Sequence, residues 1–194
     1  MSFFKRIKYN SPVILSFSLL ATTIFIFDIL LGGHLMPYFT LSPHFNFSSI
    51  WWYFSLFTYT LGHVSLAHLF GNISFILLLG PILEEKYGSK TILLMMAFTA
   101  FFTAIINNLL FNTGIIGASG IVFMMIILVS FVNTKGSDIP LTFIFVLILY
   151  LGKEVFNAFE NDSTSQFAHI IGGVVGAVFG FTPYIKKKIN RIIP

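Results

Sequence analysis

Six separate stretches of this chain run for about the length of a membrane-crossing helix with few charges inside them. They are residues 12–31, 65–83, 91–110, 117–132, 140–156 and 166–184. A helix needs about 20 mostly apolar residues to cross the hydrocarbon core of a bilayer. None of the six alternates like a barrel strand, so the pattern predicts an all-α, polytopic bundle of six transmembrane helices. Composition excludes the alternative of a soluble domain. Hydrophobic residues make up 56% of the 194 and charged ones only 9%, against about 25% charged in soluble proteins. The mean hydropathy is +0.90. The chain is read as one domain over 1–194. The first stretch is too long for a signal-peptide core and no small-residue cleavage pattern follows it, so it is kept as a span.

Lys and Arg set the orientation of such a bundle. With the N-terminus in the cytoplasm, six crossings put Lys5, Arg6, Lys8, Lys86, Lys90, Lys135, Lys186, Lys187, Lys188 and Arg191 on that side. Only Lys153 falls outside. Both termini are therefore expected in the cytoplasm, and a prokaryotic plasma membrane is the expected location. This asymmetry also explains the net charge of +4 without a nucleic-acid partner. The expected partners are the lipid bilayer and other membrane proteins. The outer segment 32–62 has no Lys or Arg but holds Trp51, Trp52, Tyr38 and Tyr53, which reads as an aromatic loop at headgroup level. Asp28 reads as a residue snorkelling to outer interfacial water.

An ionisable or strongly polar side chain inside a span is a functional-site hypothesis by default. His63, His68 and Asn72 lie where the chain enters the second span from outside. Ser119 opens the fourth span, and His169 sits one turn inside the sixth, both again from the outer side. His68 and Asn72, four residues apart, are about 40° apart around a helix and share a face. His63 cannot share that face if the helix already includes it. Around His169, Gly173, Gly176 and Gly180 recur on nearly one stripe, with Gly172 beside them. Small residues on one stripe let two backbones approach closely. The run Gly117-Ala118-Ser119-Gly120 offers the matching small surface on the fourth span.

A serine hydroxyl becomes an effective nucleophile when a neighbouring base takes its proton, and histidine is the usual base. Amides at the start of a helix, with Asn72 and His68, can hold the oxyanion of an acyl-transfer intermediate. No carboxylate is placed to orient His169, so the residues suggest a Ser-His dyad rather than a triad. Other readings are weaker. Zinc on a helix prefers histidines four apart with a further ligand, and His63 and His68 are five apart, so no metal site or other cofactor is expected. With no cysteine in the chain, thiolate chemistry is excluded. A transporter would need a polar path through both leaflets, and the cytoplasmic halves of the spans are apolar.

Taken together, these residues resemble the rhomboid family of intramembrane serine proteases. Gly117-Ala118-Ser119-Gly120 is similar to the family's GxSG motif. Ala168-His169 with Gly172, Gly176 and Gly180 resembles AHxxGxxxGxxxG. His63, His68 and Asn72 match the pattern at the start of the second span, and Glu84, Gly88 and Ser89 the ExxxGS turn closing it. Phe57-Thr58-Tyr59 also has a family counterpart. The resemblance implies Ser119 as nucleophile, His169 as general base, and an oxyanion hole of His68, Asn72 and the Ser119 amide. His63 would be a structural or gating residue. Substrates would be transmembrane proteins cut near the outer ends of their helices. The alternative is an inactive rhomboid-like protein that binds transmembrane helices. Two positions depart from the pattern: Phe123 stands where many members carry a Tyr stacked on the histidine, and the frequent Trp-Arg pair before the second span is unmatched.

Overall fold

The computed structural model describes residues 8–134, 138–151 and 163–182; the outer loop with Lys153 and the C-terminal basic cluster lie outside them. The described residues are helical, with one isolated antiparallel bridge between Leu41 and Ile115. The helices are α1 (Pro12–Leu30), α2 (Ile50–Thr58), α3 (Leu66–Tyr87), α4 (Ser89–Leu110), α5 (Ser119–Val129), α6 (Leu141–Val146) and α7 (Ser163–Phe181). Helices α1, α3 and α4 are each long and apolar enough to cross a membrane, while α5, α6 and α7 present shorter apolar helical lengths. Their positions follow the apolar stretches closely. Helix α2 is an addition, because it lies inside the segment read as a loop.

Helix α5 occupies the centre. Every residue from Gly120 to Leu128 is buried, whichever way it points. A helix that is apolar all round can satisfy that pattern only by being surrounded. Its sequence, SGIVFMMIILV, has no polar face to turn outward.

Two buried carboxylates tie the frame together. Glu84, on the last turn of α3, accepts hydrogen bonds from the Val13 and Ile14 amides, each at 3.1 Å. The first amides of a helix have no partner within it and carry partial positive charge. The end of α3 thus caps the start of α1, and Gly80 packs against Ile14 one turn away. Gly88 then takes φ +82 between α3 and α4, a backbone state that favours glycine. At the other end of α1, Asp28 accepts from the Leu35 and Met36 amides at 2.9 and 3.0 Å. It is buried rather than snorkelling, and it starts the 3-10 turn Met36–Phe39. The two neighbouring tryptophans also part company. Trp51 is exposed, whereas Trp52 is buried among Phe45, Phe47 and Tyr53 and forms the core of the loop.

Candidate active site

The segment leading into Ser119 is held on several sides. Leu41 and Ile115 exchange backbone hydrogen bonds at 2.9 and 3.3 Å. The Gly117 amide donates to the Tyr59 carbonyl at 2.9 Å, and the Tyr59 hydroxyl donates to the Ala100 carbonyl at 3.2 Å. Asn107 on α4 donates to the Thr113 carbonyl at 2.7 Å. Gly117 itself takes φ +114, and a β-carbon there would lie 2.7 Å from His68 Nε2 and 3.5 Å from Asn72 Nδ2. Glycine is required twice over: for its backbone angle and for the space the two side chains occupy.

His68 sits on the first turn of α3, where the Ser65 hydroxyl accepts the His68 amide at 3.1 Å as an N-cap. His63 precedes the helix and is therefore free of its angular restriction. Its Nδ1 lies 3.3 Å from the Leu61 carbonyl and its Nε2 3.0 Å from Asn72 Nδ2. A carbonyl only accepts, so Nδ1 carries the proton and Nε2 accepts from the Asn72 amide. A neutral His63 thereby fixes the orientation of buried Asn72. The His63 and His68 rings meet edge to face at 5.1 Å.

Burial, reinforced by the neighbouring His68, lowers His63 from 6.5 to about 4. The unfolded chain takes a proton there near pH 6.5, and the folded site refuses it until about pH 4. This site's contribution to stability is full above pH 6.5 and is lost as pH falls from 6.5 towards 4. The midpoint of thermal unfolding in detergent should therefore fall more between pH 7 and pH 4.5 for wild type than for His63→Gln. Equal falls would mean that His63 is not held neutral.

On the other side of the site, α7 runs along α5 with backbone nearly touching backbone. A β-carbon on Gly172 would collide with the Gly120 backbone, one on Gly176 with Met124, and one on Gly180 with the Phe131 ring. The contact positions rise together along both helices, so α5 and α7 are parallel. Ser119 and His169, near the start of this seam, lie at its same end. Gly173 departs from its expected stripe. It lines a separate crevice with Leu147 and Val174, because the contacting face follows the four-residue spacing of 172, 176 and 180.

Phe123 lies flat on the His169 ring, with centroids 4.2 Å apart and planes 6° from parallel. Its ring stacks as a tyrosine's would. Behind it, Tyr150 stands edge-on at 6.3 Å, carried by a five-residue π-helical turn, Leu147–Leu151, that continues α6. Thr103, fully buried on α4, places its hydroxyl 3.5 Å from where a Gly120 β-carbon would be. Neither Thr103 nor Asn107 was singled out in the sequence. Their signal was present as polar residues four apart on one face of a span.

The model of the rhomboid domain matches residues 49–185. A protein of Haemophilus influenzae named Rhomboid protease GlpG is 27% identical over 148 residues, covering 74% of this chain and 73% of that protein. Rhomboid-related protein 1 of Caenorhabditis elegans is 31% identical over 154 residues, 70% of this chain but only 42% of that longer relative.

Proposed function

From the premise that this chain belongs to the rhomboid family, we propose that it is an intramembrane serine endopeptidase working through Ser119 and His169. The observation that carries this reading is the parallel glycine seam, with Ser119 and His169 at one end of it and His68 and Asn72 crowded against Gly117. In the proposed reaction, Ser119 Oγ attacks the scissile carbonyl while His169 takes its proton and then passes it to the leaving amine. The tetrahedral oxyanion accepts from the Ser119 amide, the His68 imidazole and Asn72 Nδ2. Asn72 has two amide hydrogens. One is spent on His63, which leaves the other aimed by that bond. Water then hydrolyses the acyl-enzyme with His169 again as base.

The substrate class is a transmembrane protein whose helix unwinds near its outer end, since the backbone must leave its helical hydrogen bonds to be attacked. We place the chain in a prokaryotic plasma membrane as one six-span domain, with both termini cytoplasmic. Its spans are α1, α3, α4, α5, α6 with its π turn, and α7. The basic residues assigned to the inner side support that direction.

Asn72→Ala should lower kcat for a transmembrane substrate by about 10²–10³-fold, the usual cost of one oxyanion donor, with little change in KM. A rise in KM at constant kcat would assign Asn72 to substrate binding instead. The deciding test of the whole reading combines cleavage with labelling. The full chain in liposomes is expected to cut a transmembrane substrate in the presence of a chelator. A fluorophosphonate probe should attach to Ser119, and should fail to attach in His169→Ala. A folded protein that neither cuts nor labels is the helix-binding alternative.

A further inference from the structure

Asn72 can serve an oxyanion in only one of the two orientations open to its amide. We propose that His63 is the positioning residue that selects this orientation through an unprotonated Nε2, and that a proton on Nε2 turns the amide round and disables the oxyanion hole. This role rests on the proposed proteolysis, since it acts on the same oxyanion. Asn72 Nδ2 lies 3.0 Å from His63 Nε2 and 3.5 Å from where a Gly117 β-carbon would be. The nitrogen end of the amide therefore borders both His63 and the segment that carries Ser119. The two ends of such an amide are nearly the same size, so packing does not choose between them and hydrogen bonding must. The Leu61 carbonyl, 3.3 Å from Nδ1, takes the one proton of the neutral ring. Nε2 is left as an acceptor, and only the nitrogen of Asn72 can donate to it. His63 is 1% exposed and Asn72 6%, so bulk water does not compete for either group.

A second proton on the ring makes Nε2 a donor. It then meets the Asn72 nitrogen donor to donor across 3.0 Å, and two buried donors lose their acceptor. A half-turn of the amide relieves the conflict by presenting Oδ1 to His63. The same half-turn points the other lone pair of Oδ1 where the second amide hydrogen had pointed. A developing oxyanion there meets negative charge in place of a donor, and one lost donor costs about 10²–10³ in kcat. The titratable groups on the elements packed around His63 are few. His68 on α3 has its ring 5.1 Å away, Tyr59 stands on the preceding 3-10 turn, and His169 lies on α7 across the site. The carboxylate of Asp28 on α1 is spent on the Leu35 and Met36 amides. Burial and His68 keep the second proton off His63 until about pH 4, so the hole is open at neutral pH and closes in acid.

The test is the pH profile of kcat for a transmembrane substrate cut by the full chain in liposomes, corrected for the folded fraction by tryptophan fluorescence. Each profile is normalised to its own value at pH 7. His169 contributes one proton to the acid limb of every protein compared. Relative to His63→Gln, whose amide accepts from Asn72 without titrating, wild type should lose a further factor of about 2 at pH 4 and about 4 at pH 3.5. Asn72→Ala has no amide to turn and should follow His63→Gln, which decides the matter if His63→Gln fails to fold. At pH 7, His63→Leu should lower kcat without raising KM, and adding it to Asn72→Ala should cost nothing more. Superimposable profiles from all three proteins, or additive losses in the double variant, would overturn this role and leave the proteolysis standing. No cleavage by wild type would overturn both.

Discussion

Replacing Ser119 by Ala should lower kcat by at least about 10⁴-fold while leaving the unfolding midpoint close to wild type. On the proposed mechanism the hydroxyl is the atom that forms the acyl-enzyme, and removing such a nucleophile leaves only the residual effect of the oxyanion hole and of substrate positioning. The substitution deletes one oxygen from a half-buried side chain at the first residue of α5, so the surrounding packing has little to lose. His169→Ala should be as inactive. Because the two residues act as one unit, the double variant should be no slower than either single one. His169→Ala should also cost about 0.5–1.5 kcal/mol of stability through loss of the stacked Phe123 ring. Cleavage assays with purified variants, alongside thermal unfolding, separate these effects. Substantial turnover by Ser119→Ala would remove the dyad from consideration.

The second large effect is expected from a single methyl group. Gly172→Ala would set a β-carbon against the carbonyl oxygen, carbonyl carbon and α-carbon of Gly120. These are backbone atoms of the central helix, so the strain cannot be relieved by a side chain turning away. Helix α7 must move off α5, at about 1–3 kcal/mol or more for overpacking. The same movement would separate Ser119 from His169, so activity should fall by more than the stability loss explains. Gly71→Ala is the control. It lies on α3 with no atom within 4 Å of the added carbon, and should be neutral or stabilising by up to about 1 kcal/mol from helix propensity. If Gly172→Ala unfolds at the wild-type temperature and cleaves normally, the seam is looser than the contact implies.

The legible part of this protein was its periodicity. The apolar stretches predict helices that begin within a few residues of those observed, because length and hydropathy decide where a span can lie. Ser119 at the start of a helix and Gly176 and Gly180 on the contacting face were likewise readable, since helix starts and faces follow from spacing alone. Other features were not readable. Helix α2 carries no charge to mark an exposed face, and in sequence it blends with the aromatic loop around it. Asp28 looked like an interfacial carboxylate because its two amide donors lie seven and eight residues away in a segment without regular structure.

Local arithmetic also stopped short where a residue sat just outside a helix. His63 is excluded from the Asn72 face only if the helix contains it. Since α3 starts at Leu66, the chain folds back and puts His63 Nε2 against Asn72. Gly173 and Gly172 are adjacent, and a stripe argument cannot rank them. The neighbouring helix does, by placing the Gly120 backbone against one and leaving the other beside Leu147.

What the sequence determined by itself was the solvent of this protein, the stretches available to span it, and an ordered set of motifs carried on helices. These depend on hydropathy and on spacing along one element, which need no partner to be read. Tertiary structure decided which faces meet. The Asp28 clamp, the burial of Trp52 but not Trp51 and the neutral His63 beside Asn72 depend on turns of irregular chain, while the Glu84 clamp on α1 and the flat stack of Phe123 on His169 join residues far apart in the chain. Their energies come from close approach across helices, and close approach is a property of the packed bundle that no single helix contains.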